Sequence, residues 1–120
     1  MFDHHIPSRA IGAFGSSGVD MAFLLGPSVT SINTVRIAAN GGLGAHEAPT
    51  WQVFYVLSGI VKVTGDGDTR TLNPGDAVQW EPGELHACRA IVDSLVVLIE
   101  ATTQVPAGRP GQQRGASLQR

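Results

Sequence analysis

Short runs of β-branched and aromatic residues, each closed by a turn rich in glycine, proline, asparagine or aspartate, dominate the chain between residues 21 and 103. Turn signals lie at residues 40–44, 58–59, 65–68, 73–76 and 81–83. No segment shows the periodicity of an amphipathic helix. Repeated short strands of this kind are typical of an all-β sandwich or barrel. The sequence therefore predicts an all-β fold.

The positions of the expected strands follow from the same pattern. We expect strands at residues 21–25, 29–39, 51–57, 60–64, 69–72, 77–80, 84–91 and 94–101, with residues 46–50 extended. Residues 51–57 are almost wholly apolar, which indicates a central strand covered on both faces. Residues 40–44 contain three glycines and are expected to form a turn, because glycine adopts positive φ without steric cost.

The 120 residues suffice for one domain with a single core. Residues 1–20 are weakly patterned and are expected to form an arm, and residues 21–103 the β-barrel. Residues 104–120 are rich in proline, glycine, glutamine and arginine, a composition that cannot bury enough apolar surface to offset its ordering entropy. We therefore expect a flexible tail there.

Charge and composition exclude several classes of partner. A formal net charge of -2 provides no positive field for phosphates, so nucleic acid is not an expected partner. No apolar run approaches the roughly 18 residues that span a bilayer, and the first residues lack the features of a signal peptide. Cys88 is the one cysteine, which excludes an intrachain disulfide and fits a reducing cytosol. We expect a cytoplasmic protein in which Cys88 is a buried apolar side chain.

Two histidines mark the candidate site. His46 and His86 are far apart in sequence, yet each lies beside a glycine-rich turn at the end of a strand-like run. A small barrel would bring both into its interior. Because side chains alternate along a strand, Glu84 shares a face with His86. His4 and His5 lie in the arm and are not expected to join the site.

These turns and histidines resemble the two motifs of the cupin superfamily. The first motif has a glycine, two histidines, a glutamate on the next strand and a closing glycine, and its matching positions are Gly41 or Gly42, His46, Gln52 and Gly59. The second motif is matched by Gly75, Asp76, Gly83 and His86. The resemblance covers roughly residues 34–100 and implies a cupin-type jelly-roll β-barrel.

The chain departs from the pattern of metal-binding cupins, in which three histidines and a glutamate usually hold a divalent ion. Ala48 replaces the second histidine and Gln52 the glutamate. Gln52 offers only a neutral oxygen, so the site lacks a formal negative charge. The resemblance thus implies either a weakened site for iron, manganese, zinc or nickel at His46, Gln52 and His86, or a metal-free pocket for a small ligand.

The resemblance implies a small-molecule enzyme of the isomerase, cyclase, lyase or oxygenase type. His46 and His86 would act as metal ligands or as acid and base, since histidine exchanges protons near neutrality. Glu84 is a further candidate base. The alternative is a binding barrel without turnover, acting as a sensor or carrier.

Further residues are predicted to contact the ligand or a partner. Phe54 and Trp80 are candidates for stacking on a substrate, with a purely structural role in the core as the alternative. Arg36 would bind a carboxylate if it pointed inward, the alternative being an outward side chain. Since cupins commonly pair through sheet faces and exchanged N-terminal strands, a homodimer that uses residues 1–20 is also expected.

Overall fold

The computed structural model describes residues 1–24 and 26–108, which form eleven β-strands and one short 3₁₀ segment at Ala13–Gly15. The strands are β1 (Phe2–His4), β2 (Ser8–Ala10), β3 (Asp20–Ala22), β4 (Val29–Ile37), β5 (Gly42–Glu47), β6 (Trp51–Ser58), β7 (Val61–Gly65), β8 (Asp68–Leu72), β9 (Ala77–Trp80), β10 (Leu85–Ala90) and β11 (Ser94–Ala101). The all-β prediction is confirmed. None of the described residues belongs to a helix long and apolar enough for a bilayer.

Two antiparallel sheets make up the body of the protein. The first has five strands in the order β1-β9-β6-β11-β4, and the second has four in the order β5-β10-β7-β8. Strands β2 and β3 form a separate hairpin within the N-terminal region. Because β5 and β6 pair only with strands distant in sequence, the motif segments around β5, β6 and β10 are brought together only by the complete fold.

The space between the sheets holds the main core. Alternate residues of β6 and β9 point into it, including Phe54, Val56, Val78 and Trp80, all of which are fully or almost fully buried. The other face of β6 is also covered, since Val53 is completely buried in a second cluster. The expectation that residues 51–57 form a strand covered on both faces is therefore confirmed.

The second cluster covers the outside of the five-stranded sheet with both ends of the chain. Ile6 and Leu24 of the N-terminal region pack there beside Val105, which is buried. The sequence placed residues 104–108 in the flexible tail, but Val105 also hydrogen-bonds Gln79 through its backbone. These hydrogen bonds to the buried amide of Gln79 hold residues 104–108 in place. Residues 109–120 lie outside the described residues.

The glycine-rich segment at residues 40–44 differs from its predicted conformation. Only the beginning is a turn, with Asn40 at a φ of 66°, and β5 starts at Gly42. A Cβ atom at Gly42 would lie 2.0 Å from the carbonyl oxygen of Cys88. Gly42 therefore serves the close pairing of β5 with β10 and not the turn. Of the strand predicted at residues 21–25, only Met21 and Ala22 belong to β3, because Ala22 pairs with Ser8, the first residue of β2, and residue 25 lies outside the described residues.

Candidate functional site

The two motif histidines meet inside the fold. His46 on β5 and His86 on β10 are cross-strand partners in an antiparallel pair. Their ring centroids are 4.3 Å apart and the rings are tilted by 55°. His86 is buried, whereas His46 is exposed and faces the opening. The sequence predicts both rings in the interior, whereas only His86 is buried, so the pair lies where the interior of the barrel reaches solvent.

Backbone carbonyls fix the protonation pattern of both rings. His46 Nδ1 lies 2.7 Å from the carbonyl oxygen of Gly44, and His86 Nδ1 lies 3.1 Å from that of Glu84. A carbonyl oxygen only accepts hydrogen bonds, so each Nδ1 carries the proton in its neutral ring. Both Nε2 atoms then keep a lone pair. A hydrogen bond from Nδ1 to a carbonyl oxygen is also what orients metal-ligating histidines, and it leaves Nε2 available to accept a proton.

Aromatic side chains form the floor behind His86. The Trp80 ring stacks on His86 with centroids 4.1 Å apart, and Phe54 packs against Trp80 at 5.4 Å. Burial lowers the pKa of His86, and the neighbouring His46 lowers it further against the opposing effect of the Glu84 carbonyl. His86 is therefore neutral at pH 7. Phe54 and Trp80 are both predicted ligand contacts, and the structure places them below the histidine.

Gln52 lies on the interior side of β6, in register with Trp80. Its Nε2 donates to Glu100 Oε2 at 3.2 Å, and Ser31 donates to the other oxygen of Glu100 at 3.0 Å. Within the described part of the chain, Gln52 Oε1 is buried without a hydrogen-bond partner, as is Trp80 Nε1. Buried polar atoms are nearly always satisfied, so these two point to a bound molecule or ordered water between the sheets.

Glu84 lies inside the barrel, as its position two residues before His86 predicts. Its side chain has no exposed surface. Oε1 accepts the Glu81 backbone N–H at 3.1 Å, and Oε2 contacts the α-ammonium group of Met1. Sequence reasoning missed Met1, because a contact between residues 83 positions apart leaves no local pattern. Glu84 is thus ion-paired and is not free to act as a base while Met1 stays in place.

The residues present fit a divalent ion only in part. The two free Nε2 atoms and the uncommitted Gln52 Oε1 are suitable donors for a transition metal. Ala48 is buried and offers no ligand atom, and the Gln52 amide is uncharged, so the two histidines and Gln52 include no anionic donor. Among residues 1–24 and 26–108, one group of three acidic side chains also lies within ligating distance, and it consists of Asp66, Glu81 and Glu84.

Arg36 does not join the site. Its neighbours Val35 and Ile37 on β4 pack against the inner core, and Arg36 is exposed. Because side chains alternate along a strand, Arg36 points to the outer face. The inward orientation that would make it a carboxylate-binding residue is not observed. Burial raises the pKa of Cys88, which agrees with its predicted role as an apolar side chain.

The chain is similar to a known protein family. The family model described as cupin domain matches residues 33–102. No curated protein sequence matches the chain. Among solved structures, KdgF from Halomonas sp. is 26% identical over 66% of this chain and 73% of its own, with a TM-score of 0.58.

Two further structures support the fold at lower identity. An RmlC-like cupin from Shewanella frigidimarina is 17% identical over 82% of this chain and 85% of its own, with a TM-score of 0.58. Salicylate 1,2-dioxygenase from Pseudoaminobacter salicylatoxidans is 19% identical over 62% of this chain but only 20% of its own, with a TM-score of 0.58. At such identities the likeness concerns the fold, and it confirms the predicted cupin-type jelly-roll β-barrel.

Proposed function

The chain belongs to the cupin domain family, and from that premise we propose that it is a small-molecule enzyme whose chemistry takes place at His46 and His86. One observation carries the proposal. Backbone carbonyls accept from both Nδ1 atoms, so two rings whose centroids are 4.3 Å apart each keep an Nε2 lone pair. A histidine pair with a purely structural role would have its second nitrogen bonded within the protein.

The reaction supported best is proton transfer at a carbon atom next to a carbonyl group. His86 is neutral at pH 7 because burial lowers its pKa, so its Nε2 is ready to accept a proton. The protonated His86 can then return this proton to the substrate, while the Nε2 lone pair of the exposed His46 can accept a second proton from the substrate or from solvent. Such a proton abstraction can begin an isomerisation, a cyclisation or an elimination.

Other residues of the interior would bind and orient the substrate. The indole of Trp80 supports the His86 ring from below and limits its rotation. Gln52 Oε1 and Trp80 Nε1, both buried and without partners, provide one acceptor and one donor for polar groups of the substrate. Phe54 and the surrounding valines exclude water from the deeper part of the barrel.

A divalent ion is compatible with the same residues. The Nε2 atoms of His46 and His86 and the Oε1 atom of Gln52 would hold it. Such an ion supplies Lewis acidity toward a carbonyl or enolate oxygen. With two imidazoles and a neutral oxygen we expect weaker binding than in a site that contains a carboxylate.

The experiment is deuterium exchange in D2O, followed by proton NMR on a panel of small neutral, anionic and cationic carbonyl compounds such as hydroxyacetone, pyruvate and aminoacetone. We expect the protein to accelerate exchange of at least one compound. His86→Ala should reduce that rate by about 100-fold or more, the usual range for loss of a general base. His5→Ala, which removes an exposed histidine of the N-terminal region, should change it by less than about twofold.

Metal analysis of the purified protein belongs to the same test. Stoichiometric metal in the native protein, lost together with exchange activity in both His46→Ala and His86→Ala, supports a metal-assisted enzyme. Exchange that survives chelators supports direct acid and base catalysis. Saturable binding of a panel compound without any exchange rejects the enzyme and favours a sensor or carrier. The replacement of two family ligands by Ala48 and Gln52 is compatible with that alternative.

A further inference from the structure

The interior of the barrel contains a fully buried carboxylate. The side chain of Glu84 has no exposed surface, and one of its oxygens, Oε1, accepts the Glu81 backbone N–H. The remaining oxygen faces the interior, where its one partner among the described residues is the α-ammonium group of Met1. A carboxylate that is removed from water is costly unless a cation or several donors compensate it. Glu84 therefore requires a positive group at this position.

The surroundings of Glu84 strengthen that requirement. The carboxylates of Asp66 and Glu81 lie within 4.8 Å of the Glu84 carboxylate, at the same end of the barrel. No lysine or arginine in the described part of the chain forms an ion pair with any of the three. The local potential is thus negative, and it would attract a cationic ligand and repel an anionic one.

A second feature points to a ligand at the same place. Trp80 is 1% exposed, and its Nε1 has no hydrogen-bond partner among residues 1–24 and 26–108. A Cβ atom added at Gly65 would lie 2.5 Å from Glu84 Oε2 and 2.9 Å from Trp80 Nε1, so the carboxylate and the unpartnered donor border the same point. Met1 Cβ lies 2.8 Å from the same point, so Met1 now fills the space beside the carboxylate and the indole N–H. A ligand with an ammonium group and a nearby oxygen would satisfy both.

The chemistry favours an organic ammonium group over a metal ion. Trp80 Nε1 has a proton and no lone pair, so it cannot coordinate a metal. Calcium prefers six to eight oxygen ligands, and one oxygen of Glu84 is already engaged by the backbone.

We propose that Glu84 binds the ammonium group of a small organic ligand, and that the α-ammonium of Met1 occupies this position until such a ligand displaces it. The inference rests on the proposed function in that both use the same interior, and it adds the class of substrate, namely a primary amine. Met1 packs partly against the inner core, so its displacement would open the space beside His86.

The test uses Trp80 as the reporter. Trp51→Phe leaves Trp80 as the one tryptophan, so its indole N–H gives a single resonance in a proton–nitrogen NMR spectrum. The probes are n-butylammonium chloride, n-butanol and sodium butyrate, which are similar in size and differ in charge. We expect a saturable shift of the Trp80 resonance with butylammonium and none with the other two. Glu84→Gln should weaken this binding by about tenfold or more, equivalent to roughly 1.4 kcal/mol.

The control is Glu47→Gln, which removes one negative charge from an exposed position on β5 and should change butylammonium binding by less than about twofold. An equal response to n-butanol, unchanged binding by Glu84→Gln, or no saturable shift overturns the inference. Displacement of butylammonium by lower concentrations of calcium chloride also overturns it, in favour of a metal site.

The deuterium-exchange assay on the same preparations separates this inference from the proposed function. If deuterium exchange depends on His86 but binding shows no selectivity for butylammonium, the ammonium site is rejected and the proposed enzyme is retained. Selective butylammonium binding without exchange of any compound rejects the enzyme and retains the ammonium site.

Discussion

The two sides of the five-stranded sheet each bury a glutamine and a histidine, but they treat these residues differently. On the outside, Gln79 and His4 lie beneath the residues at both ends of the described chain. On the inside, Gln52 and His86 line the space between the sheets. All four are at most 5% exposed. Burial alone therefore does not separate the structural pair from the candidate site.

Hydrogen bonding separates them. Gln79 receives the Val105 N–H at 2.7 Å and donates to the Val105 carbonyl oxygen at 3.0 Å, which fixes the orientation of its amide. The second Nε2 proton of Gln79 then points to His4 Nδ1 at 3.3 Å, so Nδ1 is the acceptor. His4 thus carries its proton on Nε2, whereas His86 carries it on Nδ1. The outer pair forms a closed network, and the inner pair leaves Gln52 Oε1 and the Nε2 lone pair of His86 available.

The largest expected effect comes from removing one histidine from each side. His86→Ala should abolish the exchange activity, a loss of about 100-fold or more. His4→Ala should leave that activity within about twofold, because its ring packs on the opposite side of the sheet. Instead, it should lower the free energy of unfolding by about 2 kcal/mol, since it leaves a cavity and a Gln79 proton without an acceptor.

Both variants should be compared by urea unfolding and by the deuterium-exchange rate. A loss of activity in His4→Ala as large as in His86→Ala would mean that the two sides of the sheet are not functionally distinct.

The pH dependence of stability should sharpen the comparison further. Burial, together with the charge of His5, lowers the pKa of His4 from 6.5 to about 4. Between these values the unfolded ring binds a proton and the native ring does not, so stability falls as the pH decreases from 6.5 to 4. The slope is about 1.4 kcal/mol per pH unit, which gives a loss of up to about 3 kcal/mol.

His4→Leu is the matched variant, because leucine is apolar and does not titrate. Urea unfolding at pH 7, 5.5 and 4 should show a smaller decrease for His4→Leu than for the native chain. His86 also has a lowered pKa and contributes to both curves, so the difference between them isolates His4. Parallel curves would show that His4 is not buried in its neutral form.

Much of the fold and of the histidine pair could be predicted from the sequence, because both depend on local patterns. Alternation along a strand fixes the face of each side chain, and the turns fix where strands end. His46 and His86 were identified in this way. Arg36 was left with two orientations, since a lone cation in a β-branched run is compatible with either face.

The remaining features of the site depend on contacts between distant segments. The partner of Glu84 comes from Met1, and the partner of Gln79 from Val105, which the composition had placed in a flexible tail. The Nδ1 contacts of both histidines depend on side-chain rotation, which residue types do not specify. Gly42 was interpreted as a turn residue because sequence does not distinguish a glycine needed for positive φ from one needed for close strand pairing.

Charge substitution at the two glutamines gives a smaller and more specific contrast. Gln52→Glu places a carboxylate beside Glu100, where the native amide donates a hydrogen bond, and should destabilise the protein by about 1 to 2 kcal/mol. Added manganese or zinc should offset this loss, because the new carboxylate gives the site of His46 and His86 an anionic ligand. We expect metal affinity to rise by about tenfold, measured by calorimetry.

Gln79→Glu is the control for this substitution. It should be destabilising as well, because the Val105 carbonyl oxygen loses its donor, but metal should not restore stability. Equal rescue of both variants by metal would show that the inner residues do not form a distinct ligand set.

The smallest effect is expected at Arg36, on the outer side of β4. The sequence allowed this residue to bind a carboxylate, and the structure places its side chain in solvent, away from both histidines. Arg36→Ala should therefore change the free energy of unfolding by less than about 0.5 kcal/mol, as exposed substitutions usually do. Lys62→Ala, at an exposed position of the other sheet, is the matched control for the loss of one positive charge. If Arg36→Ala changes butylammonium binding or the deuterium-exchange rate and Lys62→Ala does not, part of the functional surface lies outside the barrel. Only a ligand that reaches around the sheet could contact Arg36 and His86 together.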